Sequence, residues 1–133
     1  MIANLLLAGL MVGATVIIHF AGLLILMWML RARGHQFRAH ESVPGQAAAI
    51  VFVVLGLVAI HTVEIWLYAI LYFGLGALPH FEEALYFSTT SFTTIGYGDV
   101  VLDRKWRLLA AIEGANGLIL FGWSTAFLFS VTA

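Results

Sequence analysis

The sequence Thr93-Thr94-Ile95-Gly96-Tyr97-Gly98-Asp99 lies between two long apolar segments. A strand whose backbone carbonyls all face one axis needs alternating backbone twists, and some of its residues then require a positive φ. Glycine adopts positive φ freely because it has no Cβ. We therefore interpret Gly96 and Gly98 as backbone requirements of a short extended strand with its carbonyls in a row, to which Thr94 can add a hydroxyl oxygen.

The residues before this strand are continuous with it. Ala84-Leu85-Tyr86-Phe87-Ser88-Thr89-Thr90-Ser91-Phe92 is interpreted as an amphipathic aromatic helix that runs into Thr93 without a gap. With this helix in front and an apolar segment on each side, the chain resembles the tetrameric potassium channel family, specifically its small bacterial pore modules. The resemblance covers roughly residues 47–133.

The resemblance implies a selectivity filter that four chains build together. A potassium ion must shed its water to pass a narrow pore, and rings of backbone carbonyls can replace those water oxygens. Each chain would supply one filter strand to a homotetramer that conducts K⁺ passively across the membrane, with K⁺ as its permeant ligand. The ion-binding residues that the resemblance implies are Thr94, Ile95, Gly96, Tyr97 and Gly98.

The resemblance also implies residues that support the filter. Tyr86 and Phe87 lie where family members often have an aromatic pair, although the pair here is Tyr-Phe and not Trp-Trp. Tyr97 is expected to pack its ring outward against these aromatic side chains. Thr90 occupies a position where some members have Glu, and Asp99 ends the filter. Thr90 and Asp99 are both assigned to filter support.

The composition is that of an integral membrane protein. Of the 133 residues, 62% are hydrophobic and only 10% are charged, whereas soluble domains are roughly 45–50% apolar and about 25% charged. The length allows about three spans of roughly 20 residues or more. The sequence contains no cysteine. We find no phosphate loop, metal-ligand cluster or nucleophile–base pair in it, so we expect no enzyme activity, no cofactor and no nucleic-acid partner.

We predict an all-α membrane protein with three transmembrane helices, a re-entrant pore helix and a filter loop, assembled as a homotetramer in lipid. Ser42 is placed to cap the second span, with Pro44 in its first turn. Pro79 suits the first position of the pore helix, and Glu82 and Glu83 suit its positive N-terminal end. The predicted segments are an N-terminal transmembrane helix 1–30, a cytoplasmic linker 31–46, and a pore module 47–133 with outer helix 47–75, pore helix 80–92, filter 93–99 and inner helix 106–132.

Basic residues indicate an orientation in the membrane. Arg31, Arg33 and Arg38 follow the first span, and the positive-inside rule places their loop in the cytoplasm. The basic cluster within 104–107 favours the opposite orientation. The resemblance resolves this conflict, because potassium filters are entered from the outer face. We therefore expect an inner-membrane protein with its N-terminus outside and its C-terminus in the cytoplasm.

Two ionisable side chains fall near the centre of the second span. His61 and Glu64 are three residues apart and share one helix face, and ionisable groups at that depth usually face protein or water. One interpretation is a proton- or cation-responsive pair. The other, which we favour, is a buried polar contact with a neighbouring helix, for which His19 of the first span is available. His35 and His40 are expected to be solvated loop residues.

Glycines indicate where helices bend or meet. Gly9 and Gly13 have a spacing that lets another helix approach closely, and both a docking face and ordinary glycine usage remain open. In the inner helix, Gly114, Gly117 and Gly122 are either bending points, because glycine lowers the cost of a kink, or sites of close packing against the outer helix. Gly117 and Gly122 are assigned as hinge candidates.

Near the inner end of the third span, Phe127 is assigned as a candidate gate. Phe127 or its neighbour Phe129 would form a hydrophobic constriction that closes the pore by dewetting. The alternative is that both aromatic rings serve only in packing.

Glu113 is predicted to lie on the inner helix behind the filter and to support it. A buried carboxyl group is costly without hydrogen-bond donors, and the hydroxyls of Thr90 and Ser91 are expected nearby, with Asn116 extending the network. The alternative is a structural anchor that faces Arg107 or lipid-side neighbours.

Two other classes of function remain open from the sequence. Potassium transporter subunits typically have four degenerate filter loops in one chain, whereas this chain has one complete loop. The third class is a non-conducting membrane sensor or scaffold that keeps a filter sequence.

Overall fold

The computed structural model describes residues 1–32 and 42–132, and these residues form four helices. Three of the helices are long and apolar enough to cross a membrane, and the third in chain order is short. This confirms the predicted all-α membrane fold with three spans and one short helix. The helices are α1 (Ile2–Ala32), α2 (Val43–Gly74), α3 (Phe81–Phe92) and α4 (Arg107–Thr132).

The predicted linker falls mostly outside the described residues. Arg33, Arg38, His35 and His40, for which we predicted a cytoplasmic, solvated loop, all lie outside them. The helices on either side are longer than predicted, because α1 continues to Ala32 and α2 begins at Val43.

The start of α2 has the predicted cap. The hydroxyl of Ser42 accepts a hydrogen bond from the backbone N–H of Gly45 at 3.3 Å, and Pro44 lies in the first turn. This satisfies one of the backbone donors that have no partner at a helix N-terminus.

The start of α3 differs from the prediction. His80 is the N-cap residue, in an extended conformation and without a side-chain capping bond, and the helix begins at Phe81. Pro79 therefore precedes the cap, and its predicted place at the first helical position is wrong. Glu82 and Glu83 do lie in the first turn, where their charges favour the positive end of the helix.

The helix α1 packs against both α2 and α4. Its buried residues recur every three or four positions and so form one face of the helix. Near the N-terminus of α1, these residues belong to a hydrophobic core that also contains the C-terminal part of α2, the helix α3 and the N-terminal part of α4. At the other end Leu23 and Leu26 pack with Val53 and Leu57 of α2 and Phe127 of α4. The buried face of α1 consists of Ala8, Met11, Thr15, His19, Leu23 and Leu26.

The close approach of α1 and α2 uses glycines that the sequence analysis did not single out. A Cβ on Gly22 would lie 2.6 Å from a side-chain carbon of Ile60, and a Cβ on Gly56 would lie 2.5 Å from one of Leu26. A Cβ on Gly9 or Gly13 would have no heavy atom within 4 Å. The spacing at Gly9 and Gly13 is therefore not used for docking within one chain.

The start of α1 lies beside the loop that precedes α4. The side-chain amide of Asn4 donates a hydrogen bond to the carbonyl oxygen of Lys105. Because Phe127 packs against the end of α1, the ends of α1 and α4 lie together at the opposite side of the molecule. The N-terminus is thus on the same side as the loop that follows the filter sequence, while the orientation in a membrane stays a prediction.

Candidate functional site

The backbone of residues 93–99, which we name the filter strand after its predicted role, alternates in twist. Thr94, Gly96 and Gly98 have φ values of 62°, 54° and 78°, and neither Ile95 nor Tyr97 has a positive φ. We predicted positive φ for the two glycines and did not assign it to Thr94. A β-branched residue rarely adopts this conformation, so Thr94 is a strained position that the sequence pattern did not reveal.

The filter strand is bound to the C-terminal end of α3. The backbone N–H of Thr94 donates to the carbonyl of Ser91 at 3.0 Å, and that of Gly96 donates to the carbonyl of Thr90 at 3.0 Å. Carbonyls in the last turn of a helix have no partner within the helix. The strand therefore starts where the partial negative charge of the helix end favours a cation.

A side-chain hydrogen bond connects α3 to the far end of the strand. The Tyr86 hydroxyl donates to Oδ2 of Asp99 at 2.7 Å. This bond lowers the pKa of the Asp99 carboxyl below its usual value and raises the pKa of the Tyr86 phenol. Asp99 is therefore held as a carboxylate at the end of the filter strand.

The side chains of Phe87 and Thr90 make contacts within the helices. The Phe87 ring packs edge-on against Tyr72 of α2, with centroids 5.3 Å apart. The Thr90 hydroxyl donates to the carbonyl of Phe87 at 3.0 Å, within its own helix. It is the backbone carbonyl of Thr90 that holds the strand, through Gly96.

Most of the strand is exposed in the single chain. Ile95 is 54% exposed and Tyr97 is 72% exposed. The predicted packing of the Tyr97 ring against Tyr86 and Phe87 stays a prediction.

Glu113 lies fully buried where α2, α3 and α4 meet. Its carboxylate accepts hydrogen bonds from the Tyr72 hydroxyl at 2.6 Å and from the Ser88 hydroxyl at 2.6 Å. Glu113 thus faces the pore helix, but the predicted contacts with Thr90 and Ser91 are wrong. Ser88 is the donor because it lies on the face of α3 turned towards α2 and α4, where its hydroxyl also reaches the carbonyl of Ile65 at 3.0 Å.

Asn116 forms hydrogen bonds with a different set of residues. Its amide donates to the Thr15 hydroxyl of α1 at 2.7 Å and to the Tyr68 hydroxyl of α2 at 3.3 Å. The predicted extension of the Glu113 network to Asn116 is therefore wrong. One turn along α4, Asn116 faces α1 and joins that helix to the pore region.

Gly117 is a packing position. A Cβ there would lie 2.0 Å from the carbonyl oxygen of Phe92, the last residue of α3. A Cβ on Gly114 would lie 3.2 Å from the carbonyl oxygen of Ser91. The packing alternative predicted close contact with the outer helix α2. The close contact is instead with α3. Gly122 has nothing within 4 Å of an added Cβ, and its hinge role stays a prediction.

Phe127 is not placed as a gate. Its side chain is 8% exposed and packs with Leu23 and Leu26 of α1 and with Leu57 of α2. The predicted constriction at Phe127 is wrong because α1 occupies this side of α4. Phe129, the other aromatic residue considered, is 69% exposed.

Four polar side chains meet between α1, α2 and α4. The Glu64 carboxylate lies 2.9 Å from Nδ1 of His19 and 2.8 Å from Nδ1 of His61. Nε2 of His61 lies 2.8 Å from the Ser124 hydroxyl. The predicted contact between Glu64 and His19 is confirmed. The structure also brings ligand atoms of His19, His61 and Glu64 within 4.8 Å of one another, a grouping that the sequence analysis did not identify, while the expectation of no bound cofactor stays a prediction.

The comparison with protein families gives a match to a model described as an ion channel. It covers residues 60–133, more than half of the chain. The matched segment includes residues 60–74 of α2, all of α3, the filter strand and α4. The helix α1 lies outside it. The chain therefore belongs to this ion channel family. Membership in the family supports a function in ion transport across a membrane and favours this function over an enzyme activity. A search of curated proteins and a search of solved structures each found no match.

Proposed function

We propose that the protein is a potassium-selective channel in which four copies surround one pore. The observation that supports this most strongly is the alternation of positive φ along the filter strand at Thr94, Gly96 and Gly98, directly after the end of α3. This backbone is suited to a row of carbonyl oxygens, and the membrane spans of an ion channel flank it.

The selectivity proposed here follows from the replacement of water by carbonyls. A dehydrated K⁺ ion would be coordinated by the carbonyls of Thr94, Ile95, Gly96 and Tyr97 and by the Thr94 hydroxyl, at several sites in series. The carbonyl ends of four α3 helices would favour a cation below the strand. Conduction is passive and follows the electrochemical gradient.

The tetramer is needed for two physical reasons. One strand cannot surround an ion, so several chains must contribute to each ring of oxygens. Backbone polar groups at membrane depth must also be buried in protein or face water. The exposed side chains of Ile95 and Tyr97 would find cover against a neighbouring subunit, which is where we place the outward packing of the Tyr97 ring.

Two of the contacts described above are proposed to support the filter strand. Tyr86 binds the side chain of Asp99 at the end of the strand, and Glu113 joins α4 to α3 through Ser88. We propose that both contacts preserve the spacing of the carbonyl rings, without contact with the permeant ion.

The test is ion flux into liposomes that contain only this protein. We expect uptake of K⁺ and Rb⁺ with Na⁺ largely excluded. Gly96→Ala should abolish selective flux, because the positive φ of 54° at this residue strains any side chain. Gly74→Ala is the matched control, since Gly74 has neither a positive φ nor a heavy atom within 4 Å of an added Cβ.

Three outcomes contradict the proposal. Equal permeability to Na⁺ and K⁺ would exclude a selective filter. Folded protein without flux would favour the scaffold or sensor. Flux from a stable monomer in lipid would exclude the tetramer.

A further inference from the structure

The polar cluster between α1, α2 and α4 has no part in the proposed ion path. His19 comes from α1, and His61 and Glu64 come from α2. All three are buried, with exposed fractions of 0%, 7% and 0%. Ionisable groups in a membrane interior are costly and usually serve a function, so this cluster requires an explanation of its own.

We propose that His19, His61 and Glu64 bind a divalent transition-metal ion of the zinc type. Two imidazole nitrogens and one carboxylate oxygen are a donor set that zinc accepts in tetrahedral sites, with a fourth position left for water. Imidazole ligands also suit Zn²⁺ over Mg²⁺ or Ca²⁺, which prefer all-oxygen sites.

The distances in the cluster are close to those that such an ion requires. Bonds of about 2.0–2.1 Å to a tetrahedral metal place neighbouring ligand atoms roughly 3.3 Å apart. Nδ1 of His19 lies 2.9 Å from one Glu64 oxygen, and Nδ1 of His61 lies 2.8 Å from the other. Each of these pairs has to separate by about half an ångström, and the ligand atoms of all three residues lie within 4.8 Å of one another.

The hydrogen count around Ser124 favours the metal-bound form over the neutral metal-free form. Without a metal, Glu64 accepts Nδ1–H from both rings, and each neutral ring then presents Nε2 as an acceptor. Both Nε2 atoms face the Ser124 hydroxyl, at 2.8 Å for His61 and 3.5 Å for His19. That hydroxyl has one hydrogen for two acceptors.

A metal on the two Nδ1 atoms removes this mismatch. Each Nε2 then has its hydrogen, and the Ser124 oxygen accepts from both rings. An oxygen that accepts the second ring N–H is the usual outer partner of a metal-bound histidine. Ser124 of α4 therefore acts as a positioning residue for the ligands from α1 and α2.

One side of the cluster borders a surface groove. This groove of about 200 Å³ lies between α2 and α4, and His61 and Ser124 are among the residues that line it. His19 and Glu64 are fully buried behind them.

The proposed ion would join α1 to the channel domain. His19 lies outside the segment that matches the ion channel family, whereas His61, Glu64 and Ser124 lie inside it. Metal binding does not depend on potassium selectivity, so a failure of this proposal would leave the proposed channel function untouched, and the reverse also holds.

The test uses the intact, tag-free chain in lipid nanodiscs, incubated with Zn²⁺ and passed through a desalting column. Metal analysis should find about one zinc ion per chain in the unmutated protein. Replacement of Zn²⁺ by Co²⁺ should produce the visible absorption of tetrahedral cobalt. His19→Ala and Glu64→Gln should each lose the retained ion.

The five histidines of the chain allow a matched control. The triple variant His35→Ala, His40→Ala, His80→Ala removes every histidine outside the cluster and should retain zinc. Ser124→Ala keeps all three ligands and should weaken zinc affinity by about 10–100-fold. Zinc should also raise the unfolding temperature of the unmutated protein and of the triple variant, but not that of His19→Ala.

Several results would overturn the proposal. They are absence of retained zinc in the folded, unmutated protein, retention that is unchanged in His19→Ala, and loss of zinc in the triple variant. If His19→Ala does not fold, an unchanged affinity in Ser124→Ala is sufficient to reject the site.

Discussion

The Tyr86 hydroxyl lies 2.7 Å from Oδ2 of Asp99, so the helix before the filter strand also holds the residue that ends it. The two residues are 13 positions apart, and the rest of the filter strand lies between them. At its beginning the strand is attached through the backbone N–H groups of Thr94 and Gly96. The contacts at both ends restrain the strand, whose side chains are otherwise largely exposed in one chain.

Tyr86→Phe should make conduction more sensitive to acid. The Tyr86 hydrogen bond lowers the pKa of Asp99, so the carboxylate and its contact persist as the pH falls and are lost only below the usual range of an aspartate. Without the hydroxyl, the Asp99 pKa returns upward, and protonation occurs at a higher pH. Single-channel recording over a series of outer pH values should show loss of conductance at a higher pH in Tyr86→Phe.

Two variants control this experiment. Asp99→Asn removes the titrating group and should abolish the difference between Tyr86 and Phe at position 86. His80→Ala removes the histidine at the N-cap of α3 and should keep the unmutated profile. An identical pH profile in Tyr86→Phe and the unmutated channel would exclude a role for the contact in conduction.

Glu113→Ala should destabilise the junction of α2, α3 and α4. The Tyr72 hydroxyl loses its acceptor, and an unpaired buried group costs about 1–3 kcal/mol. Ser88 loses less, because its hydroxyl still reaches the carbonyl of Ile65. Thermal unfolding and retention of the oligomer in native gels should both decrease, and Glu113→Gln should recover part of the loss because its amide oxygen still accepts.

Glu82→Ala is the matched control for Glu113→Ala. It also removes one carboxylate, but from the exposed first turn of α3, and should have little effect. Unfolding of Glu113→Ala at the same temperature as the unmutated protein would refute the structural role given to this carboxylate.

Sequence reasoning was successful where a local pattern determines the structure. Continuous apolar runs predict the three spans, and Ser42 with Pro44 predicts the start of α2, because a cap depends on neighbouring residues alone. The glycines of the filter strand were identified for the same reason. Thr94 was missed because a β-branched residue rarely adopts a positive φ, so the identity of this residue gives no indication of its conformation.

Contacts between helices could not be predicted in the same way. The helix α1 is apolar on all sides, so hydropathy does not indicate which face is buried, and only the polar residues Thr15 and His19 mark that face. The register of α3 against α4 had to be known to choose Ser88 over Thr90 as the partner of Glu113. The place of α1 beside α4 likewise changed the interpretation of Phe127.

Gly117→Ala should reduce stability, because the new methyl group would lie 2.0 Å from the carbonyl oxygen of Phe92. That oxygen belongs to the backbone, so α3 and α4 must separate, and overpacking of this kind typically costs about 1–3 kcal/mol. Gly122→Ala is the matched control in the same helix, since it has free space around the added methyl group. Thermal unfolding of both variants measures the difference.

The same pair of variants separates packing from hinge motion. A hinge at Gly117 predicts normal stability and a lower open probability in Gly117→Ala. A hinge at Gly122 predicts that Gly122→Ala unfolds normally but opens less often. Equal stability of Gly117→Ala and the unmutated protein would contradict the packing role of Gly117.

Phe127→Ala should act on stability before it acts on conduction. The ring is buried with Leu23 and Leu57, and its removal leaves a cavity, for which Phe→Ala substitutions in protein cores typically cost about 3–5 kcal/mol. Phe129→Ala is the control two residues away, and its exposed ring predicts a small change in stability. Thermal unfolding and single-channel open probability should be measured on both variants. If Phe127→Ala unfolded normally and opened more often, the ring would line the conduction path after all, and the packing of α1 against this end of α4 would have to be revised.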